Sequence, residues 1–219
     1  VFEQAGKEVS ADELMFLVQK KGPLYDKADE GHYNLISALH KSVRGSDVDA
    51  ALYWMARMIE GGEDPRFIAR RLTRMAVEDI GLADPQALPQ CVAAWEAYER
   101  MGYPEGELAL VQALIYIASA PKSNAAYKAE KAAKRAAKET GSLMPPMQIL
   151  NAPTKLMKEI GYSEGYKYDH DMPDAFSGQD YFPEEMSRER FYDPPQRGFE
   201  KKKKKRLEYW AKLREQRQK

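Results

Sequence analysis

Apolar positions along this chain recur at the helical period, and no segment shows the credible alternation of a strand. Over residues 32–43, Leu35, Ile36, Leu39 and Val43 keep a three-four spacing, which predicts a helix with one buried face. Leu52, Tyr53, Met55, Ala56 and Ile59 predict a second helix. Ser46 is its expected N-cap, Asp47 and Asp49 sit in its first turn, and Gly61-Gly62 stops it. Asp64-Pro65 and Asp84-Pro85 each pair an N-cap with a proline at the first helical position, where a missing N–H costs nothing. The first pair predicts a helix to about Ile80, closed by Gly81, and the second a helix through Trp95 to Gly102. Pro104 and Glu105 open another, carrying Leu108, Val111, Leu114, Ile115 and Ile117 as far as Pro121. Residues 124–138 are rich in Ala and Lys, good helix formers, and Asn151 is the expected cap of a short helix stopped by Gly161. Nearer the start, Ser10-Ala11-Asp12-Glu13 forms a capping box ahead of residues 14–18. The fold class that follows is all-α, with antiparallel helices joined by short turns.

The pattern changes after Gly161. Residues 162–199 hold Tyr162, Tyr166, Tyr168, Phe176, Tyr181, Phe182, Phe191 and Tyr192 among Pro, Gly and Asp. They lack a helical period yet are too aromatic for a disordered linker. This reads as an irregular arm laid over its own domain or over a neighbouring subunit.

Charge changes the picture only locally. Lys+Arg and Asp+Glu both total 34, so no global charge points to nucleic acid or membrane. Residues 200–219, however, hold ten basic and three acidic side chains, so this tail carries +7 and the rest −7. Such a run suits non-specific phosphate contact, or is a solvated, partly helical terminus. With 43% apolar residues the chain can bury a substantial core. Cys91 is its only cysteine, which rules out an internal disulfide. No signal peptide is evident, and no apolar run approaches the length of about 18 residues that a membrane span needs. Opening on Val1 rather than Met, the chain reads as a piece of a longer protein or as a processed product.

The densest group of candidate side chains is His40, Lys41, Ser42, Arg44 and Ser46. A phosphate loop would need G-x-x-x-x-G-K-[ST], which occurs nowhere in the chain. A Ser/His nucleophile would need a constrained turn, and His40 and Ser42 are two apart on a predicted helix, where side chains diverge. The simpler reading is a joint: Lys41 and Arg44 at a helix C-terminus, where cations are favoured, and Ser46 capping the next helix. No catalytic, cofactor-binding or metal-binding residue is expected. "YDHD" at 168–171 offers either a cation site or a loop histidine held by a carboxylate.

"DPRFIARRLTRMAVEDIG" is the most informative helix. At about 100° per residue, Arg66, Arg70 and Arg74 form a narrow stripe flanked by Arg71, opposite Ile68, Leu72, Met75 and Ala76. Guanidinium forks suit phosphates or a partner's carboxylates. The same arginines also suit intramolecular pairing with Glu63, Glu78, Asp79 or neighbouring helices. Lys41, Arg44, Arg66, Arg70, Arg71, Arg74, Lys122, Lys155 and Lys158 are therefore the candidate contacts to DNA or a partner.

Four stretches carry a family resemblance. "HYNLISALHKSVRGSDVDAALYWMARMIEGGEDPRFIARRLTRMAVEDIGLADPQAL" is followed in order by "APKSNAAY", and then by "NAPTKLMKEIGY" with "YKYDHDMP". Residues 24–198 so resemble the C-terminal region of the bacterial replication-associated recombination ATPases, the RarA or MgsA family of AAA+ proteins, with the Werner-helicase-interacting protein as a eukaryotic relative. The resemblance implies a clamp-loader-like C-terminal architecture. Residues 1–24 would end the AAA+ lid, and 25–161 would form a helical oligomerisation domain that assembles tetramers. Residues 162–199 would be the arm of that domain, and 200–219 a basic tail. It also implies that ATP and Mg are bound upstream in the full-length parent, with no cofactor in this chain. The expected partners are a second, third and fourth copy, DNA at forks or single-stranded ends, and single-strand-binding protein. The setting would be the cytoplasm and nucleoid, without a membrane. The chain departs from the family pattern at Leu150, where a basic residue is common, and in the lysine run 201–205.

Overall fold

The computed structural model describes residues 30–218, with side chains from Tyr33 onward. The capping box at 10–13 and the segment 1–24 lie outside the described residues. Among the described residues there are eight α-helices and no strand, in keeping with the all-α pattern. They fall into two compact units, 30–80 with Asp84–Lys122, and Gly81–Ala83 with the chain from Ser123 on.

The first unit holds helices α1 (Glu30–Arg44), α2 (Val48–Glu60), α3 (Pro65–Met75), α4 (Ala87–Met101) and α5 (Glu107–Ser119). Helix α5 packs against each of the other four. Its residues Leu110, Ala113, Leu114, Ile117 and Ala118 are buried against them, while Leu108 and Ile115 lie on an exposed face. Leu39 and Val43 of α1, Met55 and Met58 of α2, Ile68, Leu72 and Met75 of α3, and Leu110, Leu114 and Ile117 of α5 are buried to 1% exposure or less. Burying a side chain of this size contributes roughly 1.5–3 kcal/mol. The three-four spacing read along α1 is therefore core, whereas Tyr53 and Ala56 of α2 and Leu108 and Ile115 of α5 are exposed.

The joints partly differ from expectation. Ser46 does not cap α2: it takes a left-handed φ of 61° in the turn. Asp47, extended at φ −95° and ψ 93°, is the cap, accepting from the Ala50 amide at 2.9 Å. A two-residue turn consumes the serine, and capping falls to the first extended residue after it. Asp64 caps α3 as the sequence predicts, accepting from the Arg66 amide at 2.9 Å with Pro65 behind it. Beyond Met75 the helix widens into a π-helical turn over Ala76–Ile80 and then a 3-10 turn over Gly81–Ala83. Asp84-Pro85 forms a turn before α4, not its first residues. The Asp84 carboxylate accepts from the Gln86 amide at 3.0 Å and from the Tyr116 hydroxyl at 2.7 Å, so it ties α5 to the entry of α4. Pro104 and Glu105 likewise precede α5. The next residue is Gly106, where a Cβ would lie 2.7 Å from the Gly102 carbonyl oxygen and 2.9 Å from the Tyr98 Cα. Only glycine fits that approach of the turn to the end of α4.

The second unit contains α6 (Ala125–Thr140), α7 (Lys155–Glu159) and α8 (Glu200–Arg217), with the aromatic arm between the last two. Thr154, not Asn151, caps α7: it is extended, and its hydroxyl accepts from the Met157 amide at 3.3 Å. Pro153 disfavours helical geometry at Ala152, so the helix starts later than the asparagine suggested. The arm has only 3-10 turns, at Asp169–Asp171 and Pro173–Ala175. The Asp169 carboxylate does not hold His170. It accepts from the Ser177 amide and the Tyr181 hydroxyl, both at 2.7 Å, and stays below the usual carboxylate range through the Tyr181 and Ser177 hydrogen bonds.

The tail is a helix, packed along one side. Phe176 of the arm stacks on Trp210 of α8 with ring centroids 4.8 Å apart, and the Arg214 and Arg217 guanidiniums lie 5.1 and 5.6 Å from the same ring. Gly178, at φ +77°, approaches so closely that a Cβ would sit 3.1 Å from the Cβ of Arg217. Glu200, the first residue of α8, is fully buried and accepts from the Tyr192 hydroxyl at 2.6 Å. Burial and the Glu200 carboxylate together raise the Tyr192 phenol above its ordinary range.

Candidate functional site

Helix α1 carries Ile36, Leu39 and Val43 inward, and one turn places His40 on the edge of that face. Opposite it, the π-helical turn after α3 directs Asp79 inward, leaving its side chain 6% exposed. His40 Nε2 lies 2.6 Å from Oδ2 of Asp79, and Arg44 Nε lies 2.6 Å from Oδ1. Arg71 approaches the other ring nitrogen, Nδ1, at 3.3 Å. A guanidinium only donates and an ionised carboxylate only accepts. The ring therefore donates from Nε2 to Asp79 and accepts at Nδ1 from Arg71. The 3.1 Å approach of an Arg44 amino group to Nε2 is then a packing contact, since that nitrogen's proton points at Asp79.

Burial pushes the Asp79 carboxyl upward. The hydrogen bonds of His40 and Arg44, with the charge of Arg44, more than offset it and hold the group below the usual carboxylate range. Arg44 also reaches Glu78 at 3.7 Å, and Glu78 accepts from Arg74 at 2.7 Å. A chain of alternating charge thus runs from the buried histidine to the surface.

The other candidate cations are spread over the molecule. Arg66 makes a two-pronged pair with Glu99 of α4, at 2.8 and 3.2 Å, which raises the guanidinium and lowers the carboxyl. Arg70 lies 5.2 Å over the Phe67 ring. The exposed stripe Arg66, Arg70, Arg74 is present, but two of its members meet carboxylates of the chain and Arg71 turns inward. Lys41 is exposed at the end of α1. Lys122 donates to the Ala118 and Ala120 carbonyls at 2.9 and 2.6 Å, closing the end of α5. Burial lowers its ammonium below the usual lysine range, and Asp79 offsets part of that shift. Lys155 is 3.9 Å from Glu159, and Lys158 borders a shallow cleft with Ala152, Tyr162 and Glu164. Among the described residues no three His, Cys, Asp or Glu side chains gather as metal ligands would, and no helix is long and apolar enough to cross a membrane. Cys91 is buried, and burial pushes its thiol up to about 12.

Sequence reasoning isolated His40 but not its partner, which lies 39 residues on. One signal was available. His40 falls between Ile36 and Val43 on the apolar stripe, so a buried acceptor had to exist somewhere.

Comparisons with known proteins give this all-helical chain its family. Residues 45–211 match the family described as "MgsA AAA+ ATPase C terminal", and residues 2–44 match "AAA C-terminal domain". The chain belongs to the MgsA AAA+ ATPase C-terminal family. It is 53% identical over 216 residues to the replication-associated recombination protein A of Coxiella burnetii, covering 98% of this chain and 49% of that protein. The protein of the same name from Escherichia coli K12 is 48% identical over 202 residues, 91% of this chain and 45% of that one. The ATPase WRNIP1 of Dictyostelium discoideum is 43% identical over 178 residues, 81% of this chain and 20% of that one. The chain thus spans about half the length of the first two. The two family matches meet at 44/45, where α1 ends. His40 and Arg44 belong to the first matched segment, and Asp79 and Arg71 to the second, so the buried network crosses the seam.

Proposed function

We propose that this chain is the assembly part of a DNA-dependent AAA+ ATPase that maintains replication forks and serves repair and recombination. In this reading four copies join through their helices and hold the ATPase heads at a fixed spacing. ATP and Mg are bound by the parent upstream of this chain, in the cytoplasm at the nucleoid, with single-strand-binding protein as a partner. The observation that carries the reading is the 53% identity, over nearly the whole chain, to a replication-associated recombination protein. The surface of the first unit supports assembly: Leu88 and Val92 of α4 are 41% and 45% exposed, and Leu108 and Ile115 of α5 are 72% and 41% exposed. Apolar side chains spaced along two adjacent helices are what an interface would cover, and closed symmetry is the usual outcome for identical copies. Light scattering at tens of micromolar is expected to give about 100 kDa, four times the 25.0 kDa chain. A mass of one chain would overturn the reading.

A second reading, a nucleic-acid-binding helical module, is favoured by the tail. Its candidate surfaces are the Arg66/Arg70/Arg74 stripe and the basic tail. The pairing of Arg66 with Glu99 and of Arg74 with Glu78 shifts the weight to the tail.

A further inference from the structure

We infer that the outer face of α8 is a binding site for single-stranded nucleic acid, gripping phosphates with lysines and stacking a base on Tyr209. The inference rests on the nucleic-acid reading above and replaces its α3 stripe with a different surface.

The argument starts from where the charges of α8 fall. At about 100° per residue, Lys201, Lys212, Lys205, Tyr209, Lys202 and Arg206 occupy an arc of about 140°. All six are exposed, Tyr209 by 50%. No acid lies inside that arc. Glu200 is buried on the opposite side, and Glu208 and Glu215 line a cleft with Arg188, Arg190 and Tyr192, which Lys212 of the arc also borders. The inner side is committed to the arm: Trp210, Arg214 and Arg217 surround Phe176, and Lys204 lies 3.7 Å from Asp193. Packing thus fixes the rotation of the helix and sorts its charge. None of the five outer cations is ion-paired among the described residues, unlike Arg44, Arg66 and Arg74.

The spacing suits a phosphodiester chain. From Lys201 to Lys212 the helix rises about 16 Å, so a single strand laid along the arc passes successive phosphates before its five cations. Tyr209 at the middle of the arc selects the single strand, because a duplex offers no free base face to stack on. Apart from Tyr209 the exposed positions of the arc are polar, so it lacks the apolar band with which a helix enters a lipid surface.

The test uses the 219-residue chain and a labelled oligothymidylate of about 20 nucleotides, read by anisotropy across a salt series. Replacing Lys201→Gln, Lys205→Gln and Lys212→Gln together should weaken binding about tenfold or more, and flatten the dependence of log K on log salt by about 2. Tyr209→Ala should weaken binding to the single strand severalfold, with the salt slope and binding to a duplex of equal length unchanged. Unaltered circular dichroism and mass would show that both variants fold. Wild-type binding untouched by the lysine variant but lost in Arg66→Gln/Arg70→Gln/Arg74→Gln would overturn the site and leave the nucleic-acid reading standing. Absence of any wild-type binding would overturn both. Tyr209→Ala without effect would overturn the single-strand assignment, as would tighter binding to phosphatidylserine vesicles than to the oligonucleotide.

Discussion

His40 and Asp79, 39 residues apart, meet at 2.6 Å beneath the surface of the first unit, and each is further held by an arginine. Removing one side of a buried charged hydrogen bond leaves the other desolvated without compensation. Asp79→Ala is expected to cost about 3 kcal/mol, the low end for such pairs, because the half-exposed Arg44 can return to water. His40→Ala is expected to cost about 2 kcal/mol, for the lost hydrogen bond and the space it leaves. The double variant should lose less than the sum by about 1 kcal/mol or more. Urea unfolding of the four proteins measures this, and strict additivity would mean that the contact contributes nothing.

The same carboxylate sets a pH dependence. Its folded pKa is held below the unfolded value by His40 and Arg44. The stabilisation is therefore complete above about pH 4 and is lost as pH falls through the folded value. Asp79→Asn removes it. The difference in unfolding free energy between wild type and Asp79→Asn should be full near pH 5 and shrink below about pH 4. A difference that grows in acid would contradict the assignment.

The Phe176–Trp210 stack is the clasp between arm and terminal helix. Phe176→Ala removes the ring on which Trp210, Arg214 and Arg217 all rest, and Gly178→Ala forces a side chain against Arg217. Both should free α8 to open locally. Trypsin, with many Lys and Arg sites there, should cut the helix of either variant about tenfold faster than that of wild type, while the first unit keeps its resistance. Equal cleavage of wild type and variants would mean that the stack does not hold the helix.

Much of the helical architecture could be read from the chain because the core residues of the first unit repeat every third or fourth position, and because Pro65 and the Gly61-Gly62 pair punctuate it. Capping was less legible. Whether Ser46 or Asp47 caps α2 depends on one left-handed turn residue, and whether Asn151 or Thr154 caps α7 depends on Pro153 between them. The charge network was legible in part: the arginines suited pairing with Glu78 and Asp79, and Arg74 does meet Glu78. The His40–Asp79 contact was not, because a π-helical turn rotates Asp79 inward, and a widened turn leaves no periodic trace in five residues. The lysine run gave the opposite lesson. As a string it reads as uniform charge, yet folding hides Glu200, pairs Lys204 and exposes Lys201, Lys205 and Lys212.

The crossing of the 44/45 seam by the His40–Asp79 contact limits how such proteins can be recombined. A chimaera joined at that boundary, with the head of one relative and the assembly region of another, inherits its imidazole and its carboxylate from different parents. Unless the donor keeps His40 and Arg44, the graft leaves the buried Asp79 without its hydrogen-bond donors. The segments that sequence families separate here would then have to be exchanged as one piece, cut ahead of His40.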